Sequence, residues 1–584
     1  MTTSIVDADS LLAIDVGTVT TRAGLFDVVD GSYRFMAIGT APTTLDAPYK
    51  DISEGVRMAI DQLQLLTGRA FIGIDEDLIV PSTPEGTGVD SVVATLSAGE
   101  PFKVVVVGLL EDISLQSARN LAATIYARVV DAISMNDRRK IEAKIDAILR
   151  SRPDLILVAG GTEDGASKSV LTLLEAVGLA CYLLPEDQRP RVLFAGNPGV
   201  AADVEESLTD FALVQIAPNI RPSLETEQLS PAQGKLREIF RDIRSASILG
   251  VDELNKWVSG RLMPSTMGFS RVIRFLSQVY DSNKGVLGVD LGASSTTVAA
   301  AFAGDLKHQV YTQLGLGTIL PNLLNYTSPS NIARWLSVDV SESDIQGYIY
   351  HKAVYPSSLP VTSEELGIEQ AIAREILRTA IKGTRKRFPA NAAQSRPDLL
   401  PWFEPIIASG NVLTNASSWG QSMLMLLDAL EPTGISTIVL DQYNIFSALG
   451  AAAEINPTLT VQVFESGALT NLGTVIAPVG RARSGTEILR VRVTYESGQE
   501  KKFEVTQGSL KRIPLPAGQG ANLHLQPLHR YDVGMGGAGR GGGLDVRGGE
   551  LGIIIDARGR PLGLPSDPAK RRDLILKWSR ALER

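Results

Sequence analysis

The chain has 584 residues, 44% of them hydrophobic and 21% charged, with a formal net charge of −9. At roughly 100–200 residues per domain this makes three or four folding units, with too much apolar content for wholesale disorder. The acidic balance argues against a nucleic-acid partner, whose phosphates need concentrated Lys and Arg, and basic runs such as Lys570-Arg571-Arg572 are short.

Residues 11–14 read as a strand, Asp15 to Thr21 as a small-residue turn, and residues 23–26 as the returning strand. A third strand follows at 33–38, and apolar residues at helical spacing cover 52–66. Short β-branched runs then alternate with helical stretches: 104–109 before a helix at 114–132, 155–158 before 166–177, and 192–195 before 201–208. That alternation implies βαβ units on a parallel sheet. Residues 231–280 are helical in pattern and lead to a second strand-turn-strand at 288–301. A long helical section spans 331–388, followed by strand 406–408, helix 418–430, strand 437–440 and helix 445–454. Beyond 465 the runs 488–494, 502–505, 523–526 and 551–555 alternate with Gly-rich turns, which predicts a small β-rich module closed by a helix from Pro568.

The sequence echoes itself. Asp15-Val16-Gly17-Thr18-Val19-Thr20-Thr21 recurs in outline as Asp290-Leu291-Gly292-Ala293-Ser294-Ser295-Thr296-Thr297, each copy following an apolar strand. Leu157-Val158-Ala159-Gly160-Gly161-Thr162 has a counterpart in Ile407-Ala408-Ser409-Gly410-Asn411-Val412. Two elements in the same order in two halves indicate a duplicated α/β frame. The predicted organisation is a first lobe over 1–230 with a βαβ insert, a helical connection over 231–283, a second lobe over 284–465 with a helical insert, and the β-rich module over 466–584.

A hairpin turn built from glycine and small hydroxyl residues offers backbone N–H groups and hydroxyls to a phosphate with little steric hindrance. Gly17 would allow close approach in the first turn, with Thr18, Thr20 and Thr21 as donors and Arg22 adding charge where it points inward. Gly292 would do the same in the second, with Ser294, Ser295 and Thr296 as donors. Two such turns facing each other would hold a polyphosphate from both sides. Mg²⁺ keeps most of its waters and uses one or two carboxylates, a role open to Asp15 and Asp290 at the two strand ends. The tight Ser409-Gly410-Asn411 turn leaves room for a base or ribose on the second lobe. The expected ligands are therefore ATP and Mg²⁺, in a cleft between two lobes.

Other chemistries find little support. Gly534-Met535-Gly536-Gly537-Ala538-Gly539 spells a dinucleotide fingerprint, but more glycine follows where a helix should begin, so it reads as a loop open to a partner. Cys181 is the single cysteine, which leaves no intramolecular disulfide and no Cys-based zinc site. His308, His351, His524 and His529 show no metal-ligand spacing. The polar first ten residues are unlike a signal peptide, and no apolar run nears the ~20 residues that span a bilayer, so the expected setting is cytoplasmic.

The two hairpins resemble the first and second phosphate motifs of the actin, Hsp70 and hexokinase superfamily. Within it the chain resembles the glutamate mutase L family, accessory ATPase-like proteins of adenosylcobalamin-dependent glutamate mutase that are unrelated to the mismatch-repair protein of similar name. The likeness rests on residues 12–26, 104–110, 154–165, 194–197, 218–240, 288–298 and 435–451, and covers about 11–478. It implies a duplicated actin-like ATPase fold and a chaperone-like or reactivating role towards a partner enzyme, with a cobalamin-dependent mutase as the partner class. Ala293 stands where many relatives carry glycine, and Thr297 where many carry an acid, so the resemblance implies nucleotide binding with weak hydrolysis at most. Two alternatives stay open: a small-molecule kinase, for which Asp164 is a weak candidate base, and an actin-like cytoskeletal or scaffold protein.

Overall fold

The computed structural model describes residues 9–163, 165–259 and 261–583. The first lobe starts with three antiparallel strands, β1 (Leu11–Val16), β2 (Thr20–Val29) and β3 (Ser32–Pro42). The helix Ile52–Thr67 returns across them, burying Ile52, Val56, Ala59, Ile60 and Leu63 on the one face that its spacing creates. Asp51 caps its start by accepting from Ser53 N–H, and Gly68, at φ 71°, ends it. The chain then forms β4 (Ser91–Leu96), which lies parallel to β1 with Thr95 opposite Asp15.

A separate parallel sheet follows: β5 (Phe102–Gly108), β6 (Ala127–Ser134), β7 (Leu155–Ala159), β8 (Arg191–Phe194) and β9 (Leu213–Ile216), in the order β6-β5-β7-β8-β9. The expected helix over 114–132 is corrected here. A π turn (Glu111–Leu115) and a helix (Gln116–Ala122) end early, and β6 occupies Ala127–Ser134. Val129 and Ile133 are β-branched and pair along β5, an option that helical periodicity does not reveal. The echo of residues 157–162 in 407–412 is corrected too. β7 belongs to the inserted sheet, so the first-lobe strand that stands beside the Asp-led hairpin is β4.

The linking helices Ser230–Ser247, Val251–Trp257 and Ser265–Val279 carry between them β10 (Met263–Pro264), which joins the open side of β4. The second lobe repeats the first. Its hairpin strands are β11 (Gly285–Leu291), β12 (Thr296–Phe302) and β13 (Asp305–Tyr311), and after the helices Glu342–Val354 and Ser363–Arg385 come β14 (Phe403–Ser409) and β15 (Gly434–Leu440). β14 runs parallel to β11 with Ser409 opposite Asp290, as Thr95 stands opposite Asp15. The architecture is α/β, duplicated and two-lobed, with a β-rich C-terminal part.

That C-terminal part contains β16 (Thr470–Ala477), β17 (Glu487–Tyr495), β18 (Glu500–Thr506), β19 (Leu510–Ile513), β20 (Gly520–Pro527), β21 (Gly542–Arg547), β22 (Ile553–Asp556) and the helix Pro568–Glu583. Four of these strands form their own sheet, β18-β17-β20-β21, whereas β16, β22 and β19 extend the second lobe's sheet to eight strands. After the fingerprint-like Gly534 to Gly539 stretch comes strand β21, not a helix.

A buried ionic cluster fastens this extension. Asp556 accepts from Arg558 and Arg560, while Arg558 also donates to Asp428 at 2.6 Å and Arg374 donates to Asp428 at 2.8 Å. The side chains of Asp556, Arg558 and Arg560 are all 0% exposed. The two neighbouring guanidiniums hold the Asp556 carboxyl well below the usual carboxylate range, against the opposing effect of burial. Asp556→Ala removes the carboxylate paired with the buried Arg560 and leaves Arg558 with Asp428 alone, and is expected to cost about 3–5 kcal/mol, read as a lower denaturant midpoint. An unchanged midpoint would show that the cluster contributes nothing.

The lobes meet through a reciprocal exchange of helices. Helix Ser265–Val279 packs on β11 and β12 of the second lobe, and helix Phe446–Ala452 packs on β1 and β4 of the first. They cross at glycines: a Cβ on Gly450 would stand 1.9 Å from the Gly268 carbonyl oxygen, and one on Gly268 would stand 2.2 Å from that of Ser447. Only bare backbone fits there.

Candidate functional site

The two hairpins face each other across a cleft of about 490 Å³. Asp15, Gly17, Thr18, Thr20, Asp290, Gly292, Ser294, Ser295, Ser409, Gly410 and Asn411 all line it, together with Arg22 and Ala293. Each turn is closed in the same way, by Gly17 N–H to the Thr20 carbonyl and by Gly292 N–H to the Ser295 carbonyl, both at 3.0 Å. Thr18 donates to Ser294 at 2.7 Å and Arg22 to Asn411 at 2.7 Å, so two hydrogen bonds cross from lobe to lobe.

Thr21 and Thr296 are corrections. Side chains alternate along a strand, so Thr20 and Arg22 of β2 face the cleft while Thr21 faces the other way. Its hydroxyl is bonded to that of Thr43 at 2.8 Å, and Thr21 is 0% exposed. Thr296 donates to the Leu314 carbonyl at 2.9 Å and is equally buried. Neither hydroxyl is available to a ligand. Asp164 lies outside the described residues.

Asp15 accepts from Thr95 at 2.6 Å and from Ser265 at 2.9 Å, and its other oxygen lies 3.7 Å from Arg22. Asp290 is the opposing carboxylate. Burial pushes its pKa up to about 7, the charges of Asp15 and Asp441 add to the rise, and Arg22 opposes it. Asp441, which follows β15, completes an acidic trio that the sequence analysis did not identify. It is 0% exposed, accepts from Ile445 N–H, Phe446 N–H and Ser409, and is raised to about 6, chiefly by burial. Its signal was present, since Asp441 ends an apolar strand as Asp15 and Asp290 do. Asn444 was also missed. Its side-chain oxygen accepts from Gly410 N–H at 2.8 Å and from Ser409, and so fixes the turn on the second lobe.

Because Asp290 binds its proton more tightly in the fold than in the unfolded chain, the folded state holds more protons between about pH 4 and 7. The contribution of Asp290 to stability therefore falls as pH rises through that window. Asp290→Asn is expected to remove this dependence, raising the melting temperature over wild type at pH 7 but not at pH 4. Parallel melting curves at the two pH values would expose the error.

Thr297 lies opposite Asp290 on β12, but its hydroxyl turns to Thr266 and it is 1% exposed. Among the described residues no group of three or more His, Cys, Asp or Glu is placed to hold a metal ion directly, and no helix is long and apolar enough to cross a membrane.

Two lobes built on the same Asp-led hairpin, joined by crossing helices and meeting turn to turn across one cleft, define a protein of the actin, Hsp70 and sugar-kinase architectural class. The description "MutL protein" fits residues 11–467, most of the chain, and the chain belongs to that family. It is 23% identical over 490 residues to "Protein MutL" of Clostridium tetanomorphum, covering 78% of this chain and 98% of that one. Solved structures that it resembles include a glycerol dehydratase reactivase (11% identity, 76% of this chain and 100% of the other, TM-score 0.30). The xylulose kinase of Bifidobacterium adolescentis is another (11% identity, 78% and 93%, TM-score 0.27). The architecture rests on the strand order and the paired hairpins.

Proposed function

We propose that the interlobe cleft binds ATP with Mg²⁺ and that the protein is an accessory, reactivating factor whose nucleotide state is passed to a partner enzyme. The observation that carries this reading is the meeting of two Asp-led hairpins, Thr18 against Ser294, across one cleft. Asp15 and Asp290 are as many carboxylates as a magnesium ion held mostly by water and phosphate uses, and the ion would neutralise phosphate charge between them. Gly17 and Gly292 leave the turns bare for close approach, the hydroxyls of Thr18, Thr20, Ser294 and Ser295 donate to the phosphates, and Arg22 adds charge. Ser409, Gly410 and Asn411 bound the nucleoside side.

Asp290 lines the cleft, where its carboxylate can orient an attacking water and take its proton. No acid at 297 supports that step, and hydrolysis is accordingly slow. Closure by hinge or shear about the Gly268–Gly450 crossing would carry the state to the second lobe's helices and the β-rich segment. The family resemblance supports an adenosylcobalamin-dependent mutase as the class of partner. Isothermal titration of ATP with and without Mg²⁺ tests the binding, and comparison of what co-purifies with and without ATP tests the partner. No heat of binding to the pure protein would end this reading.

A further inference from the structure

A second cavity, of about 350 Å³, lies between the lobes away from the hairpins. The second lobe and the linking helix Ser265–Val279 contribute Arg274, Lys307, His308 and Arg387 to its wall, and the first lobe contributes Glu227 and the start of helix Ser230–Ser247. We propose that this cavity is a second ligand site, separate from the ATP cleft, that takes a small anion of the carboxylate or phosphate class.

The charges support an anion. Lys307 is paired with Asp305 at 3.1 Å, but no carboxylate stands within ion-pair distance of Arg274 or Arg387 among the described residues. The one hydrogen bond that the Arg387 guanidinium makes among those residues is to the His308 carbonyl, at 3.1 Å. Burial lowers its pKa, the mark of a cation short of a partner, although the more distant Glu227 acts the other way. Glu227 is itself engaged, one of its oxygens accepting from Ser117 at 2.8 Å and Asn120 at 2.9 Å. Helix Ser230–Ser247 begins at the same cavity without a side-chain cap, and although the Ala232 and Gln233 N–H groups are taken by the Leu229 carbonyl, its positive dipole end lies at this wall.

His308 supplies the remaining donor and a route to the hairpins. It is 2% exposed, and its Nδ1 has no hydrogen-bond partner. Its Nε2 bonds the hydroxyl of Thr266, which in turn accepts from Thr297. A Thr266 hydroxyl that accepts from Thr297 gives its own proton to Nε2, which leaves the proton of the neutral ring on Nδ1, a donor without a partner in a residue that lines the cavity. Burial and Arg387 keep the ring neutral, with a pKa near 3. Thr266 is the chain neighbour of Ser265, the donor to Asp15, so an anion held by Arg387 and His308 sits beside the segment that also lines the ATP cleft.

The test follows the four histidine ring signals of the selectively labelled full chain, with His308→Gln assigning the His308 signal. Inorganic phosphate is titrated in one arm and malonate in the other, each with and without saturating Mg–ATP. The expected result is a saturable shift of the His308 signal by one or both anions, whether or not ATP is present; the tighter arm identifies the ligand class. Arg274→Gln, at an exposed position without an ion pair, should weaken that binding about tenfold with the fold intact, and Arg387→Gln at least as much. A His308 signal that neither anion moves, or equal affinity in wild type and Arg274→Gln, would overturn the proposal whether or not the chain binds ATP.

Discussion

Asp15→Ala is expected to weaken Mg–ATP binding on the order of 100-fold by titration calorimetry, while the protein remains folded. Asp15 accepts from Thr95 and Ser265, faces Arg22, and stands at the strand end nearest both phosphate turns. Each lost contact to a charged group is worth about 1.5–3 kcal/mol, and 1.4 kcal/mol is tenfold in affinity. Asp15→Asn separates the two contributions. It retains an oxygen for the hydroxyl donors but loses the charge, so it should bind nearly as poorly as alanine while melting closer to wild type. Thr21→Val is the control. Its hydroxyl bonds Thr43 behind the sheet, so nucleotide affinity should hold and only stability should fall, by about 1 kcal/mol. Affinity lost in Thr21→Val but kept in Asp15→Ala would invert the site as described.

The second large effect belongs to the helix crossing. Gly450→Ala places a Cβ 1.9 Å from the Gly268 carbonyl oxygen, far inside contact distance, and the obstacle is backbone that cannot rotate aside. The helices must separate, at a cost of about 1–3 kcal/mol or more. Because each helix packs on the other lobe's sheet, the displacement should also widen the hairpin gap and lower ATP affinity. Gly347→Ala, at a helical glycine whose Cβ would meet nothing within 4 Å, should be neutral or slightly stabilising. A Gly450→Ala protein with wild-type melting and wild-type affinity would show that the crossing transmits nothing.

What the sequence made visible followed from local chemistry. An apolar run ending in Asp-x-Gly and small hydroxyl residues can only be a tight hairpin, and its recurrence 275 positions later located both halves of the cleft (Asp15 and Asp290). Which hydroxyls face the ligand was not visible, because strand register decides it: Thr20 and Thr21 are chemically alike and lie on opposite faces. The partner of β1 was hidden for a related reason. The run Ser-Val-Val-Ala-Thr-Leu that forms β4 carries no motif, whereas the Gly160-Gly161 turn after β7 resembles the Ser409-Gly410 turn and drew the comparison. Ser265 reaches Asp15 from the end of a two-residue strand too short for any periodicity. Asp441 was a third aspartate after an apolar strand, legible only once the other two had been placed together.

A crystal structure with Mg²⁺ and a non-hydrolysable ATP analogue is the most direct test of the central claim. The triphosphate should lie between the Gly17–Thr18 and Gly292–Ser294 backbones, with the metal's waters on Asp15 and Asp290 and the nucleoside toward Gly410. A nucleotide bound elsewhere, or a hairpin gap that stays empty at saturating analogue, would contradict it.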